Sequence, residues 1–306
     1  MLNHSRRAFL LAAASAATSA QAANHGTVRL GGPVFLKSDD PEALAQEHRR
    51  VGYTAAYCPP AKVEDTDRVR AIEKAYSAAG VVIAEVGAWV NMMDPDLDKR
   101  RKNMEYVTQR LALADAVGAL NCVDIAGSYN KDSWYGPHPK NLSREFFDAT
   151  VENCRKLIDT VKPKRTKLTI EMMGWTVPNG PDSYLALLKA VDRKAFAVHM
   201  DVCNIINSPE RFYNNTAFIS ECFSKLGQWI QSCHAKDLEW KTELNMHFVE
   251  VVPGRGSLDY AAYLREIAKL PQRPPLMLEH LKTAEEYDEG ASYIRRIGRE
   301  SGVTFA

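Results

Sequence analysis

The sequence has 306 residues, with 39 Lys and Arg against 38 Asp and Glu, and 45% of its residues are hydrophobic. It is long enough for one large α/β core, and its charge balance gives no electrostatic reason to expect nucleic acid or an acidic membrane surface as a partner. The six cysteines form no C-x-x-C pair, so a zinc knuckle and a thioredoxin-type motif lack support, and disulfide formation stays open.

The first 23 residues have the pattern of an export signal. Paired arginines at positions 6 and 7 precede a short apolar run, which ends in Ala-Gln-Ala at 20–22, an A-x-A cleavage site. The run is too short to span a bilayer, and the paired arginines resemble a twin-arginine signal. We expect a mature chain that begins at Ala23 or Asn24, is exported to the periplasm and has no membrane span. An ordinary secretory signal that carries two arginines is the alternative.

From Val28 onward, short apolar runs alternate with longer amphipathic ones. The apolar runs are typical of buried parallel strands and cover Val28–Phe35, Tyr53–Cys58, Val81–Trp89, Leu120–Ala126, Lys167–Met173, Phe196–Val202, Ile230–Ala235 and Pro275–Leu281. The amphipathic runs predict helices over Glu42–Val51, Asp67–Ala79, Asp98–Val117, Arg144–Val161, Ser183–Val191, Pro209–Leu226, Asp259–Lys269 and Ala284–Gly298.

The order of these segments predicts the fold. Gly52, Gly80 and Gly118 each stand between a helix and the next strand, where a left-handed glycine commonly ends a helix. Eight strands alternating with eight helices over about 280 residues indicate an α/β fold, a single (β/α)8 TIM barrel covering residues 24–306. A doubly wound open sheet is the alternative, although no G-x-G-x-x-G follows the first strand.

Four polar side chains interrupt the last four predicted strands: Glu171, Asp201, His234 and Glu279. They are separated by 30, 33 and 45 residues, and one β/α unit of a barrel averages roughly 31. We expect them at equivalent heights on neighbouring strands, with a longer loop, Leu238–Pro253, after the seventh. Buried carboxylates repel one another unless a cation compensates, and this donor set suits a hard divalent ion. The sequence therefore predicts one metal ion, Mn²⁺ in the first place and Mg²⁺ or Co²⁺ as alternatives.

Three further polar residues are predicted substrate contacts. Lys236 lies two residues past the histidine ligand, and His199 two before the aspartate ligand, so the alternation of a strand turns both inward. An ion pair with a carboxylate is the alternative for Lys236, and a hydrogen-bonded core histidine for His199. Glu85 interrupts the third strand and is predicted to lie at the rim, with a core ion pair as its alternative.

Aromatic and basic residues in the loops extend the predicted binding site. Trp175 follows a strand that carries a predicted ligand, and its indole suits the apolar face of a sugar. Trp89, Trp134 and Trp240 also fall at strand ends or in the loops after them. Arg255 is predicted to bind an anionic group of the substrate, with a surface role as the alternative.

These motifs resemble the xylose-isomerase-like barrel superfamily and, more narrowly, its sugar phosphate isomerase/epimerase group. The resemblance rests on the four predicted ligands, on His-Ala-Lys-Asp at 234–237 and on Pro-Gly-Arg-Gly-Ser-Leu-Asp at 253–259. It implies that the four side chains bind one divalent metal, and that Glu171 and Glu279 are a catalytic pair that transfers protons, as in ketose 3-epimerases. Those epimerases usually carry a histidine where this chain has Asn204, which we expect to contact the substrate.

The predicted site can run several reactions. A divalent ion stabilises an enediolate, and a carboxylate base can then remove the proton beside a carbonyl. Reprotonation gives an epimer or an aldose/ketose isomer, so we predict a sugar isomerase or epimerase acting on a keto-sugar or related polyol. A lyase or dehydratase acting on a keto-glycoside or inosose is the first alternative. A non-catalytic periplasmic carbohydrate-binding protein, and an apurinic-site endonuclease with the same barrel, are the others; a homo-oligomer is left open.

Overall fold

The computed structural model describes residues 26–306, and the predicted signal peptide, residues 1–23, lies outside the described residues. The strands are β1 Thr27–Val28, β2 Leu30–Gly31, β3 Ala55–Tyr57, β4 Val82–Gly87, β5 Asn121–Asp124, β6 Lys167–Glu171, β7 Phe196–Met200, β8 Ile230–Ala235, β9 Asp237–Lys241, β10 His247–Val251, β11 Leu276–Leu278 and β12 Thr304–Phe305. Strands β2 to β8 and β11 are parallel and form a closed barrel, in which β11 lies between β8 and β2. All eight predicted strands occur in it, which confirms the single barrel and excludes the open sheet.

The helices surround the barrel. They are α1 Pro41–Arg50, α2 Thr66–Ala79, α3 Leu97–Val117, α4 Arg144–Val161, α5 Pro181–Val191, α6 Pro209–Tyr213, α7 Asn215–Leu226, α8 Tyr260–Lys269 and α9 Ala284–Glu300. The single helix predicted over 209–226 is wrong, because Asn214 leaves helical geometry (φ −112°, ψ 31°). Its side chain donates to the Glu210 carbonyl at 2.9 Å, and its backbone N–H donates to the same oxygen at 3.1 Å, so the two donors share one acceptor at this break. Gly80 and Gly118 end α2 and α3 in the predicted left-handed conformation.

The interior of the barrel contains hydrogen-bonded polar side chains, and most of the hydrophobic core lies outside it. The large apolar side chains pack mainly between the strands and the helices, whereas small residues such as Ala55 and Ala84 point into the barrel. Inside, Asn121 donates to Ser232 Oγ at 2.8 Å, and Thr169 donates to Asn121 Oδ1 at 2.9 Å. This hydrogen-bonded layer supports the polar residues that lie above it, towards the carboxyl ends of the strands.

The loop predicted over Leu238–Pro253 is wrong, because most of it forms an antiparallel hairpin of β9 and β10. The hairpin starts three residues after His234 in sequence and extends from the carboxyl end of β8. The ring of Trp240 packs edge-on against Phe248 of the partner strand and against Phe212, with centroids 5.2 and 5.7 Å apart. This cross-strand aromatic pair, covered by Phe212 of α6, therefore stabilises the hairpin.

Two other properties of residues 26–306 bear on the predictions. Among the helices described there, none is long and apolar enough to cross a membrane. All six cysteines are free thiols, five of them buried and Cys58 partly so.

Candidate metal centre

The predicted ligands meet at the carboxyl ends of four neighbouring strands. Glu171 is the last residue of β6 and His234 the last but one of β8, while Asp201 and Glu279 directly follow β7 and β11. Parallel strands that end at one rim bring these positions together. One ligand atom from each of the four lies within 4.8 Å of all the others. The convergence expected from the spacing is therefore present.

Three carboxylates surround one ring nitrogen of His234. Its Nδ1 lies 2.6 Å from Glu279 Oε1, 3.1 Å from Glu171 Oε1 and 3.6 Å from Asp201 Oδ2. One nitrogen can donate a single proton, so it cannot satisfy three acceptors. Asp201 Oδ2 and Glu279 Oε1 are buried and make no hydrogen bond of good geometry, although an ion pair joins each of them to Lys236. Oxygens that face a common centre in this way fit a divalent cation, and a set of mainly oxygen donors suits Mn²⁺ or Mg²⁺.

Lys236 lies against the same carboxylates. Its Nζ is 2.6 Å from Glu279 Oε1 and 3.0 Å from Asp201 Oδ2, and its side chain is 3% exposed. The ion pair considered as the alternative for this lysine is therefore present. The lysine also lines the cavity described below, so a contact with substrate stays a prediction.

The surroundings shift the pKa values of the two glutamates, Glu171 and Glu279, in opposite directions. Burial raises the pKa of Glu171 to about 7, although His234 and Lys236 attract its anionic form. Burial acts in the same sense on Glu279, but there the charges of His234 and Lys236 outweigh it and lower the pKa to about 2. In the absence of a cation, the site thus holds one carboxyl group poised near neutral pH and one firmly ionised. Such a pair suits an acid and a base.

A second polar layer lies beneath His234. Its Nε2 is 3.2 Å from Glu85 Oε2, and the ring of His199 packs edge-on against it with centroids 4.0 Å apart. His199 Nδ1 is hydrogen-bonded to Ser232 Oγ at 2.8 Å. Glu85 and His199 are at most 1% exposed and do not line the cavity. The substrate contacts predicted for them are therefore wrong, and the core alternatives hold.

Glu85 also bears on how His234 can bind a metal. A metal-binding histidine usually donates its other ring N–H to a carboxylate or carbonyl, which orients the ring. A proton on Nε2, shared with Glu85, leaves the Nδ1 lone pair directed at the three carboxylates. Together with His199, these residues form a second group that could hold a cation, but His234 would have to serve both groups.

A cavity of about 570 Å³ opens above the four predicted ligands. Its floor contains Glu171, Lys236 and Glu279, and its other side is aromatic. A volume of this size lies in the range of roughly 300–1,000 Å³ that is usual for small-molecule sites. The arrangement can therefore bind an organic ligand directly over the polar cluster.

The remaining predicted substrate residues divide between this cavity and the surface. Asn204 lines the cavity, donates to Glu171 Oε1 at 3.0 Å and accepts from Lys236 at 3.1 Å. Trp175 also lines it. Arg255 does not, because its guanidinium forms two bonds to Glu289, at 2.6 and 2.8 Å, on the exposed surface. Arg255 instead lines an adjoining cavity of about 310 Å³ together with Lys236 and His280, so its contact with an anionic group stays a prediction beside the surface alternative.

Among the residues that line the cavity, sequence reasoning missed six: Tyr57, Ile125, Tyr135, Met173, Glu250 and His280. Tyr57 is the last residue of β3, and its hydroxyl donates to the Leu278 carbonyl at 3.2 Å. Glu250 reaches the site from the hairpin and lies 3.6 Å from Lys236. His280 contacts Glu250 at 2.9 Å and has a left-handed backbone (φ 59°), which turns it into the cavity. Strand alternation carries no signal for a left-handed residue or for a hairpin side chain.

Asp237 joins the two quoted motifs. Its buried carboxylate accepts backbone N–H groups from Leu238, Gly254 and Leu258 at 2.9 Å each, and from Gly256 at 3.1 Å. A Cβ on Gly256 would collide with Asp237 Oδ1, so this close approach requires glycine. The last residue of the His-Ala-Lys-Asp motif therefore holds the Pro-Gly-Arg-Gly-Ser-Leu-Asp loop in place. The presence of both motifs in the sequence could have indicated this contact.

Comparison with known proteins identifies the type of barrel. A family model described as xylose isomerase-like TIM barrel matches residues 42–297. No curated protein matches the sequence significantly.

Solved structures share the fold at low sequence identity. A xylose isomerase-like TIM barrel protein from Mycobacterium smegmatis, in complex with magnesium, is 16% identical, with a TM-score of 0.63 over 90% of this chain and 98% of that one. A 3-keto-D-glucoside 4-epimerase from E. coli is 12% identical, with a TM-score of 0.62 over 88% and 100%. Endonuclease IV from Thermus thermophilus is 14% identical, with a TM-score of 0.65 over 89% and 99%. These likenesses show the fold alone.

Proposed function

The chain belongs to the xylose isomerase-like TIM barrel family, and we propose that it is a divalent-metal-dependent isomerase or epimerase of a keto-sugar or related polyol. The observation that carries this proposal is the convergence of Glu171, Asp201, His234 and Glu279 on one point at the floor of the cavity. We assign all four as ligands of one ion, Mn²⁺ in the first place and Mg²⁺ or Co²⁺ as alternatives.

The residues of the chain can carry out the proton transfers. Glu171 and Glu279 both line the cavity, so each can face a bound hydroxy-ketone. Of these two carboxylates, one can act as the general base and the other as the acid that returns a proton. The base takes the proton from the carbon beside the carbonyl, and a proton returns to the other face or to the neighbouring carbon. A divalent ion would supply charge that stabilises the enediolate formed between these steps.

Lys236 contributes a fixed positive charge to the same chemistry. Its ammonium lies between Asp201 and Glu279 and still lines the cavity. A fixed positive charge in a poorly hydrated site stabilises negative charge that develops on substrate oxygens. Asn204 connects Lys236 to Glu171, so the three side chains are held in one hydrogen-bonded set.

A lyase or dehydratase is the second candidate, since loss of a β-leaving group can follow the same proton removal. The cavity has room for a leaving group beyond the reacting carbons, and this observation keeps the lyase as a candidate. A non-catalytic carbohydrate-binding protein is disfavoured, because burying this many carboxylates is costly without a cation to compensate. The endonuclease alternative is disfavoured by a formal net charge of +1 and by a cavity with an aromatic side.

We also propose that the protein acts in the periplasm after twin-arginine export. This rests on the paired arginines at 6 and 7 and on the A-x-A at 20–22. Transport in the folded state would allow the metal to be inserted before export.

Substrate screening in deuterated water tests the proposed reaction. Ketoses, keto-glycosides and inososes should be incubated with the purified protein, and we expect deuterium at the carbon beside the carbonyl of the converted compound. In Glu279→Gln we expect turnover to fall at least ~10²-fold, since a general base contributes on that scale. The variant keeps a ligating oxygen, so much of its metal should remain. Glu289→Gln, a matched change at the surface partner of Arg255, should leave turnover unchanged.

Two results together would contradict the proposed reaction. If the wild-type protein converts its substrate with no solvent exchange under any condition, and Glu279→Gln is nearly as fast, the enediolate route is wrong. Release of water or of an aglycone in place of isomer exchange would select the lyase.

A further inference from the structure

The cavity has two chemically distinct parts. Glu171, Lys236 and Glu279 form its charged floor. The other part is a group of large side chains that we call the aromatic wall, formed by Trp134, Tyr135 and Trp175. Their exposed fractions are 38%, 46% and 38%, so these rings are open to ligand. A cluster of exposed aromatic rings that faces a cavity, and not the outer surface, is typical of a ligand-binding surface.

The aromatic wall is held in place by its own loop. Tyr135 is followed by Gly136, whose carbonyl accepts from Ser128 Oγ at 2.6 Å and from Asn141 Nδ2 at 3.2 Å. Asn141 is 0% exposed, and its Oδ1 accepts the backbone N–H of Tyr129 at 3.1 Å. These buried polar bonds keep the loop ordered, although its aromatic rings are not packed in the core. A rigid, preorganised surface loses little entropy when a ligand binds.

Trp175 extends the wall across two loops. It lies in the loop after β6, and its indole Nε1 donates to the Tyr135 carbonyl at 2.6 Å. The rings of Trp134 and Tyr135 meet edge-on, with centroids 5.2 Å apart. The two loops thus meet at this hydrogen bond, and all three rings line the cavity. Such a surface suits the C–H face of a sugar ring or an aromatic substituent.

The cavity is larger than a monosaccharide needs. Its volume of about 570 Å³ equals the share of roughly 19 molecules of liquid water. A six-carbon sugar has about 12 non-hydrogen atoms, and bonded atoms pack more closely than separate water molecules. A monosaccharide whose reacting carbons contact Glu171 and Glu279 therefore leaves space along the aromatic wall.

The wall also lacks the charge needed for a phosphorylated substrate. Among the described residues that line the cavity, Lys236 is the one Lys or Arg side chain. It is already paired with Asp201 and Glu279 at the floor. Arg255 lies off the aromatic wall, in an adjoining cavity of about 310 Å³, and is paired with Glu289. A phosphate group placed on the wall would thus be desolvated without a cationic partner, which is costly.

We infer that the cavity binds an uncharged glycoside or oligosaccharide, with its reacting sugar at the charged floor and its second sugar or aglycone stacked on Trp134, Tyr135 and Trp175. The position of the reacting sugar rests on the proposed function, whereas the stacking surface rests on the wall itself. The inference distinguishes this chain from an enzyme that acts on small sugar phosphates.

Matched pairs of glycosides test the inference by binding alone. The probes are methyl and phenyl β-glycosides of glucose, galactose and mannose, with glucose 6-phosphate as the charged probe, titrated into the full-length mature protein by calorimetry. We expect at least one phenyl glycoside to bind about tenfold more tightly than its methyl partner. Trp134→Ala and Trp175→Ala should each remove most of that difference, while Tyr106→Ala, an exposed aromatic outside the cavity, should keep it.

The results separate this inference from the proposed reaction. Equal affinities within every pair, no measurable binding of any phenyl glycoside, or tighter binding of glucose 6-phosphate would overturn the inference. Conversion of a ketose with solvent exchange would still stand in that case. Tryptophan-dependent binding without any isomer exchange would support the stacking surface and count against the proposed reaction only. Far-ultraviolet circular dichroism and thermal melting establish that each variant is folded.

Discussion

Asp237→Asn is a change whose cost follows directly from the structure. The buried carboxylate accepts four backbone N–H groups, two on each oxygen. Asparagine keeps one oxygen, so two of the four N–H groups would face an amide NH₂ and lose their acceptor. A buried polar group left without a partner costs about 1–3 kcal/mol. The N–H groups of Gly254 and Gly256 are only partly buried, so we expect a loss in the free energy of unfolding at the lower end of about 2–6 kcal/mol.

Urea denaturation followed by circular dichroism measures this loss. Asp259→Asn is the matched control, since Asp259 caps α8 by accepting from Ala262 at 2.9 Å and asparagine caps helices about as well. We expect the control to change stability by less than about 1 kcal/mol. If Asp237→Asn is no more destabilising than Asp259→Asn, the four-bond anchor of the loop at 253–259 is not what stabilises it.

The remaining predictions concern the metal and the export signal. Glu85→Gln should weaken Mn²⁺ binding ~10- to 100-fold, the usual effect of losing the partner that orients a histidine ligand; titration calorimetry measures it, and an affinity within twofold of wild type would show that Glu85 does not position the ring. Replacement of Arg6 and Arg7 by lysine should leave precursor in the cytoplasm, as cell fractionation would show; undiminished export would count against the twin-arginine interpretation.

The barrel and the convergence of its ligands could be predicted because both follow from periodicity. Apolar runs and amphipathic segments alternate along the chain, so the order of elements specifies the fold. Glu171, Asp201 and His234 are about one β/α unit apart, and equal spacing on parallel strands implies equal height. The longer interval before Glu279 was correctly attributed to extra residues after β8, although these form a hairpin and not a loop.

Depth within the barrel could not be predicted in the same way. Alternation shows that a side chain points inward, but it does not show whether the residue lies at the mouth or below it. His199 is two residues before Asp201, a rise of roughly 6.6 Å along a strand, and that distance places it under His234. Glu85 of β4 lies at a similar depth, against His199 and His234. Both were therefore mistaken for substrate contacts.

Contacts that depend on tertiary structure were also beyond sequence reasoning. Arg255 was predicted either to bind an anion or to lie on the surface, and the structure pairs its guanidinium with Glu289 of α9. The partner is 34 residues away in sequence, and no local pattern connects the two. Glu250 and His280 reach the cavity through a hairpin and a left-handed residue, neither of which leaves a periodic signal.

The metal content of the purified protein tests the central claim most directly. Protein loaded with Mn²⁺ and freed of excess ion should contain about one ion per chain by mass spectrometry, and the ion should raise its melting temperature, because a ligand that binds only the folded state stabilises it. Asp201→Ala and His234→Ala should contain almost none and should not be stabilised, while Asp182→Ala, an exposed carboxylate on α5, should match the wild type. Full occupancy in both ligand variants would contradict the account.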